Sequence, residues 1–361
     1  EPNVPLHPDG QPLRDTTGGD WTLFAAPFPL VRVPSTAEAF RDLTRYEAFT
    51  CLKPGTRLDD PQIDRDELKR ARYAWRKNTP PIGPAEQARL TKKGLLKPHE
   101  GLLQLRDAET SKPVAAHAGS VCWNAFRKRF VLIVCELYGT SLLGETWYAE
   151  ADSPVGPWVF ATKIVTHEKY SFYNPKQHPF FDQEGGRLIY FEGTYTHTFS
   201  GNEHKTPRYD YNQIMYRLDL ADERLVLPVP LYDAEKNGAA ADFAWRDAED
   251  ARQAEFEKIA FFALDRPRQD VVPVYRVNEG GTARLTTGPP PNQRDAPPLF
   301  WALADGEKDV PGTSPLSEYV SDSGKPPLYD VRRDRQPFGY KRADRPLCRV
   351  WLSPYRSADG K

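Results

Sequence analysis

Residues 117 to 165 and 174 to 232 read as two copies of one four-strand unit, and no other feature limits the fold of this chain as strongly. The first copy runs AHAGSVCWNAF, RKRFVLIVCE, GETWYAEADSPVGPW and VFATKIV; the second runs NPKQHPFFDQ, EGGRLIYFEGTYT, YNQIMYRLDL and ERLVLPVPLYD. Setting Arg129-Phe130-Val131 on Arg187-Leu188-Ile189 gives an offset of 58 residues, which also places Ser120 over His178 and Trp123 over Phe181. Short strands bounded by turn residues and repeated in this way mark the blades of a β-propeller. The innermost strands of such a fold meet around an axis, so the leading strand of each copy is where function is expected.

The rest of the chain extends this reading. Pro reaches 35 residues and aromatics 12 %, which favours strands joined by rigid turns over a helical bundle. DWTLFAAPFPLVRVP, residues 20 to 34, reads as the outer strands of a blade whose inner strands are absent or displaced. Ser35-Thr36-Ala37-Glu38 predicts a capping box that opens a short helix through Leu43. A further blade is predicted from Tyr46 through Arg72 to Lys77 and on to Leu102 to Arg106, with the helical insert PAEQARLTKKG closing on Gly94. Three blades and a remnant fall short of the roughly four to eight that close a propeller. Either the first blades lie upstream of Glu1 or the C-terminal part completes the ring.

From about Gly238 the texture changes. DAEDARQAEFEKIAFFAL predicts an amphipathic helix running into a strand. A weaker repeat follows: FFAL with VPVYRV, LFWAL with SPLSEYV, then GYKRADRPLCRVW, with Pro273, Pro315 and Pro346 at the strand entries. The predicted organisation is therefore propeller blades over 1–237 and a small C-terminal β module over 238–361, or else further blades in that second part. The start at Glu1 instead of Met implies a processed, trimmed or partial chain, and a secreted or periplasmic location with its signal removed is expected.

Composition excludes several classes. Acidic and basic residues balance at 50 against 49 and are interspersed, unlike a nucleic-acid binder with one basic face. No apolar run approaches the roughly 20 residues of a membrane span. Cys51, Cys122, Cys135 and Cys348 show no CxxC spacing; Cys122 and Cys135 fall on adjacent strands as buried thiols or a single bridge. GxGxxG, P-loop, G-x-S-x-G and HExxH signatures are missing.

GETWYAEADSPVGPW is similar to the third-strand segment of five-bladed propeller glycosidases, in which a strand of small residues leads into a serine-proline, glycine-proline, aromatic turn. GSVCWNAFRKRFVLIV resembles the inner strand and hairpin of the same unit, and HPFFDQEGGRLIYFEGTY the matching hairpin of the next. Over the two copies, and more faintly over 20 to 110, the chain thus resembles the superfamily of glycoside hydrolase families 32, 43 and 117 and related propeller families. The C-terminal part resembles small repeat modules of extracellular bacterial proteins. The resemblance implies an all-β, five-bladed propeller that hydrolyses O-glycosyl bonds of an extracellular polysaccharide or glycoside. The alternative is a non-catalytic carbohydrate-binding or cell-surface interaction propeller. Family 43 enzymes place a base Asp and an orienting Asp on inner strands; at the equivalent positions here stand Glu47, His117 with Ser120, and Asn174 with His178.

Glycoside hydrolysis needs two carboxyl groups across one bond, about 5 to 5.5 Å apart for retention and about 6.5 to 9.5 Å for inversion. Glu47 and Glu192 form the expected pair, with Glu136 and Glu145 in reserve. Glu192 interrupts the apolar run RLIYFEGTYT, where a carboxyl must be paired, hydrogen-bonded or neutral. Structural roles compete in each case: Glu47 with solvent or Arg45, Glu192 with Arg187 or Arg217. His117, Ser120, Asn174 and His178 are the expected substrate-binding or orienting groups, joined by Tyr195 and Tyr209 from the polar loop THTFSGNEHKTPRYDYNQ. That loop also carries His197, Glu203, His204 and Asp210, which match no established metal motif. No cofactor is expected beyond a structural divalent cation there, and the clustered Asp59, Asp60, Asp64 and Asp66 read as a solvated turn.

Overall fold

A computed structural model describes residues 13–14, 19–24, 28–206, 208–233, 243–246, 256–279, 282–290, 296–306, 310–332 and 334–356. Among the described residues the fold is mostly β, with 43 % strand and 10 % helix, and one sheet curls into a half-barrel. The chain divides into two compact units, the first drawn chiefly from residues up to Ala221 and the second chiefly from Asp222 onward. No helix among the described residues is long and apolar enough to cross a membrane.

Among the described residues the first unit holds three sheets. β1 (Leu13–Arg14), β2 (Asp20–Phe24), β3 (Val31–Pro34), β4 (Glu47–Thr50) and β5 (Ala74–Lys77) pair in chain order as an antiparallel meander. The remnant at 20–34 and the blade expected from Tyr46 are therefore one sheet: Arg32 pairs with Glu47, and Glu47 with Lys77. Between β3 and β4 the helix α1 (Ala37–Phe40) is capped by Thr36, whose hydroxyl accepts from the Ala39 amide, instead of Ser35. It ends three residues before Leu43, because Asp42 caps a new 3-10 turn over Leu43–Arg45. Helix α2 (Pro84–Lys92) forms as expected, with Gly94 at φ +70 just beyond its end.

β6 (Arg106–Asp107) corrects the expected end of that blade. It joins the second sheet instead, lying parallel to β10 (Phe160–Thr166). The rest of this sheet is β7 (Ala116–Asn124), β8 (Arg129–Glu136) and β9 (Glu145–Ala151), paired antiparallel in chain order with β10. These four strands are those of the first sequence copy. β8 and β9 are buried along nearly their whole length, so both faces of the sheet are covered at its centre. Arg127 and Arg129 reach β9 from the hairpin: Arg127 binds Glu150 through Nε at 2.8 Å and Nη2 at 3.0 Å, Tyr148 donates to the same carboxylate at 2.5 Å, and Arg129 pairs with Asp152. Buried charges persist only when matched in this way. In the SPVGPW turn, Trp158 is fully buried and its indole N–H donates to the Pro154 carbonyl at 3.2 Å.

The third sheet contains β11 (Ser171–Gln177), β12 (Leu188–Thr196) and β13 (Asn212–Asp219). The fourth strand expected in this copy, within ERLVLPVPLYD, does not join it. Its residues form β14 (Val229–Asp233) in the second unit, between β15 (Phe243–Ala244) and β16 (Ile259–Ala263).

Among the described residues the second unit forms one ten-stranded sheet, completed by β17 (Val271–Glu279), β18 (Thr282–Thr286), β19 (Phe300–Leu303), β20 (Thr313–Ser321), β21 (Leu328–Asp330), β22 (Tyr340–Arg342) and β23 (Cys348–Trp351). The weak repeat has a structural counterpart, since Pro273 and Pro315 each occupy the third position of a nine-residue strand, not the entry position expected. Of the predicted helix at its start, residues 247–255 lie outside the described residues; a 3-10 turn over Phe256–Lys258 leads into β16. Leu231, Phe261, Phe300 and Val350 lie in one buried core cluster. All four cysteines are buried and unbridged, including Cys122 and Cys135.

Candidate functional site

The leading strands of the two copies meet in the first unit, and both carry a register break at the same level. β7 is irregular between Ala116 and Gly119, and β11 between Tyr173 and Lys176, where Asn174 takes φ +53. Gly119 is required there, because a Cβ would lie 2.2 Å from the Ile133 carbonyl oxygen. The bulges bring the exposed His117 to the buried Cys135, with Nδ1 3.9 Å from Sγ, and the thiol also receives backbone amides of Ala118 and Asn174. Burial dominates and pushes the Cys135 thiol up to about 11, so it is protonated near neutral pH and is not a nucleophile. Ser120 Oγ accepts the Gln177 amide at 2.8 Å and clasps β7 to β11.

The four candidate carboxylates fall into three settings. Glu47 receives Arg32 Nε at 2.8 Å, and the Arg32 guanidinium lies 3.9 Å from the Trp21 ring centroid and 4.5 Å from that of Trp75. The partner expected was Arg45; the cross-strand register supplies Arg32 instead. Glu145 is fully buried and takes the Thr140 amide at 2.8 Å, the Thr140 hydroxyl and the Thr166 hydroxyl at 3.0 Å. Glu136 receives the Trp147 indole N–H at 2.8 Å. A Cβ built on Gly139 would stand 1.8 Å from Glu145 Oε2 and 3.2 Å from Glu136 Oε2, so these two carboxylates are close neighbours with the Gly139 backbone against them. Burial raises the Glu136 pKa against the opposing Trp147 hydrogen bond, and the like charge of Glu145 adds to the rise.

Glu192 and His178 are the two expected residues that touch, with Nε2 3.0 Å from Oε1. The Glu192 side chain is 36 % exposed, in contrast to the buried carboxyl expected from its apolar run. β12 alternates, so Ile189 and Phe191 point inward while Tyr190 and Glu192 share the wetter face with Met215 of β13. The 3-10 turn over Pro179–Phe181 then stands two aromatic rings beside the pair: Phe180 is 72 % and Phe181 46 % exposed, with centroids 5.2 and 6.1 Å from the His178 ring. Aromatic rings next to an acceptor and an imidazole suit a ligand that has both apolar C–H faces and hydroxyl groups.

The polar loop after β12 is held by its own acid. Asp210 accepts the Thr196 hydroxyl at 2.6 Å and lies 2.8 Å from His197 Nδ1, which keeps its carboxyl well below the usual range. Tyr209 is exposed, and Tyr195 packs half-buried against Tyr170 and His167. Glu203 and His204 are exposed, and among the described residues no three His, Cys, Asp or Glu side chains gather as a metal site.

His167 escaped the sequence reading. Burial lowers its pKa, so the ring is neutral: Nδ1 donates to the Gly144 carbonyl at 3.0 Å and Nε2 accepts from the Tyr216 hydroxyl at 2.8 Å, while the ring stacks on Phe172. It lies between the two copies, outside either repeat, so periodicity could not single it out. Set against known proteins, the chain matches no family model, and no curated protein matches it.

Proposed function

We propose that the first unit is a propeller-like module, five-bladed in its complete form, that binds an extracellular carbohydrate without cleaving it. The observation that carries this reading is the Glu192–His178 pair flanked by the exposed Phe180 and Phe181. A pyranose offers C–H faces to the rings and hydroxyls to the carboxylate and imidazole. The expected hydrolytic pair has less support, because Glu47 is committed to Arg32 and Glu145 is sealed by three donors. A secreted or periplasmic location belongs to the same proposal. Titration calorimetry of the full chain against a panel of neutral and acidic oligosaccharides is the test. Phe180→Ala and Glu192→Gln should each weaken binding roughly tenfold or more, the scale of one lost stacking or hydrogen-bonded contact. Absence of binding across the panel, or unchanged affinity in both variants, removes the reading.

One observation favours the hydrolase as a second reading: Glu136 stands beside a second carboxylate, and burial raises its pKa, the direction that suits a general acid. Release of aryl groups from aryl glycosides, abolished in Glu136→Gln, would support it. Equal release by wild type and variant would end it.

A further inference from the structure

The second unit contains a cavity of about 210 Å³ whose wall includes Arg332, Arg335 and Arg356. Two carboxylates share that wall and hold the three guanidiniums in place. Asp330, itself buried, takes Arg332 through Nε at 3.1 Å and Nη2 at 2.8 Å, and also pairs with Arg335. The turn carrying both arginines is pinned as well, since the buried Tyr319 hydroxyl donates to the Arg335 carbonyl at 3.0 Å. Arg356 donates Nε to the Ile259 carbonyl at 2.7 Å and Nη2 to Asp233 at 2.6 Å.

This arrangement uses only part of each fork. Among the described residues, Arg332 Nη1, Arg335 Nε and Nη2, and Arg356 Nη1 donate to no protein acceptor. A guanidinium offers five N–H donors in a fixed plane, and one that is already oriented loses little entropy on meeting an oxyanion. Three guanidiniums against two carboxylates leave the wall one positive charge in excess.

We propose that this cavity is a binding site for a compact oxyanion: a phosphate, a sulfate or the carboxylate of an acidic sugar or small acid. It is independent of the carbohydrate reading of the first unit, and neither falls with the other. Thermal shift and titration calorimetry of the full chain, at constant ionic strength, would use inorganic phosphate, inorganic sulfate and glucuronate as separate probes. Saturable binding of at least one, weakened roughly tenfold in Arg335→Gln and in Arg356→Gln, is expected for the loss of a charge-assisted contact. Phosphate and sulfate binding without glucuronate assigns a tetrahedral anion; the converse assigns a carboxylate. Arg57→Gln, at an exposed position of the first unit, should leave affinity unchanged. No saturable response to any probe, or equal affinity in wild type and both cavity variants, overturns the proposal. Circular dichroism without ligand confirms that the variants fold, and retention of the fold with unchanged binding counts against the site.

Discussion

The two sequence copies differ most in their last strand. In the first copy all four segments lie side by side in one sheet, and β6 adds a fifth strand beyond β10. In the second copy three segments do so, and the fourth becomes β14 in the sheet of the other unit. Their burial explains the difference. β10 is covered at its start and then half-exposed, as suits a strand near the outside of a sheet. β14 is buried at Val229, Pro230, Leu231 and Tyr232 alike, so it needs cover on both faces. β13 leaves Gln213, Met215 and Arg217 exposed, whereas Phe261 and Phe262 of β16, the strand paired with β14, are buried. A repeat in sequence thus sets the strands, and two-sided burial decides which sheet receives each one.

The sharpest way to break this comparison is in the polar interior of the first copy. Glu150→Ala removes the buried carboxylate that pairs with Arg127 and accepts the Tyr148 hydroxyl. It should destabilise the protein by about 3–5 kcal/mol in urea unfolding, the usual effect of breaking one side of a buried pair. Next in size is a matched pair at the repeat offset. Leu132→Ala, at a fully buried site, should cost about 2–5 kcal/mol, and Tyr190→Ala, on the wetter face of β12, about 1 kcal/mol. Equal losses would mean that the two copies are covered alike and would remove the explanation given for β14.

The clasp between the copies is weaker. Ser120→Ala leaves the Gln177 amide unpaired in a buried setting and should cost about 1–3 kcal/mol, with faster hydrogen exchange at that amide. The smallest effect concerns acid. The Asp210 pKa is lowered by the Thr196 hydroxyl first and by His197 next, so its contribution is present above the ordinary carboxylate value of about 3.9 and is lost only as pH falls well below it. Exchange at the His197 amide, which donates to Asp210, should stay slow through mild acid and speed up below that range; Asp210→Asn should abolish this pH dependence.

The strands of the first copy were legible because its apolar runs are separated by turn residues that also separate strands in three dimensions: RKRFVLIVCE becomes β8 and VFATKIV becomes β10. Glu192 was misjudged because Tyr190 counts as apolar in a run yet lies half-exposed, so alternation was hidden. Arg32 was missed as the partner of Glu47 because cross-strand pairing depends on register, which a 15-residue separation does not reveal.

Sequence alone determined that this protein is built of short strands, where most of its turns fall and which polar residues interrupt its apolar runs. Those properties depend on neighbours within a few residues. Only the tertiary structure decided which sheet received β14, which carboxylates found partners, and that Arg332, Arg335 and Arg356 line one cavity. Each of these outcomes depends on burial and register between segments far apart in the chain, and neither quantity exists until the segments pack.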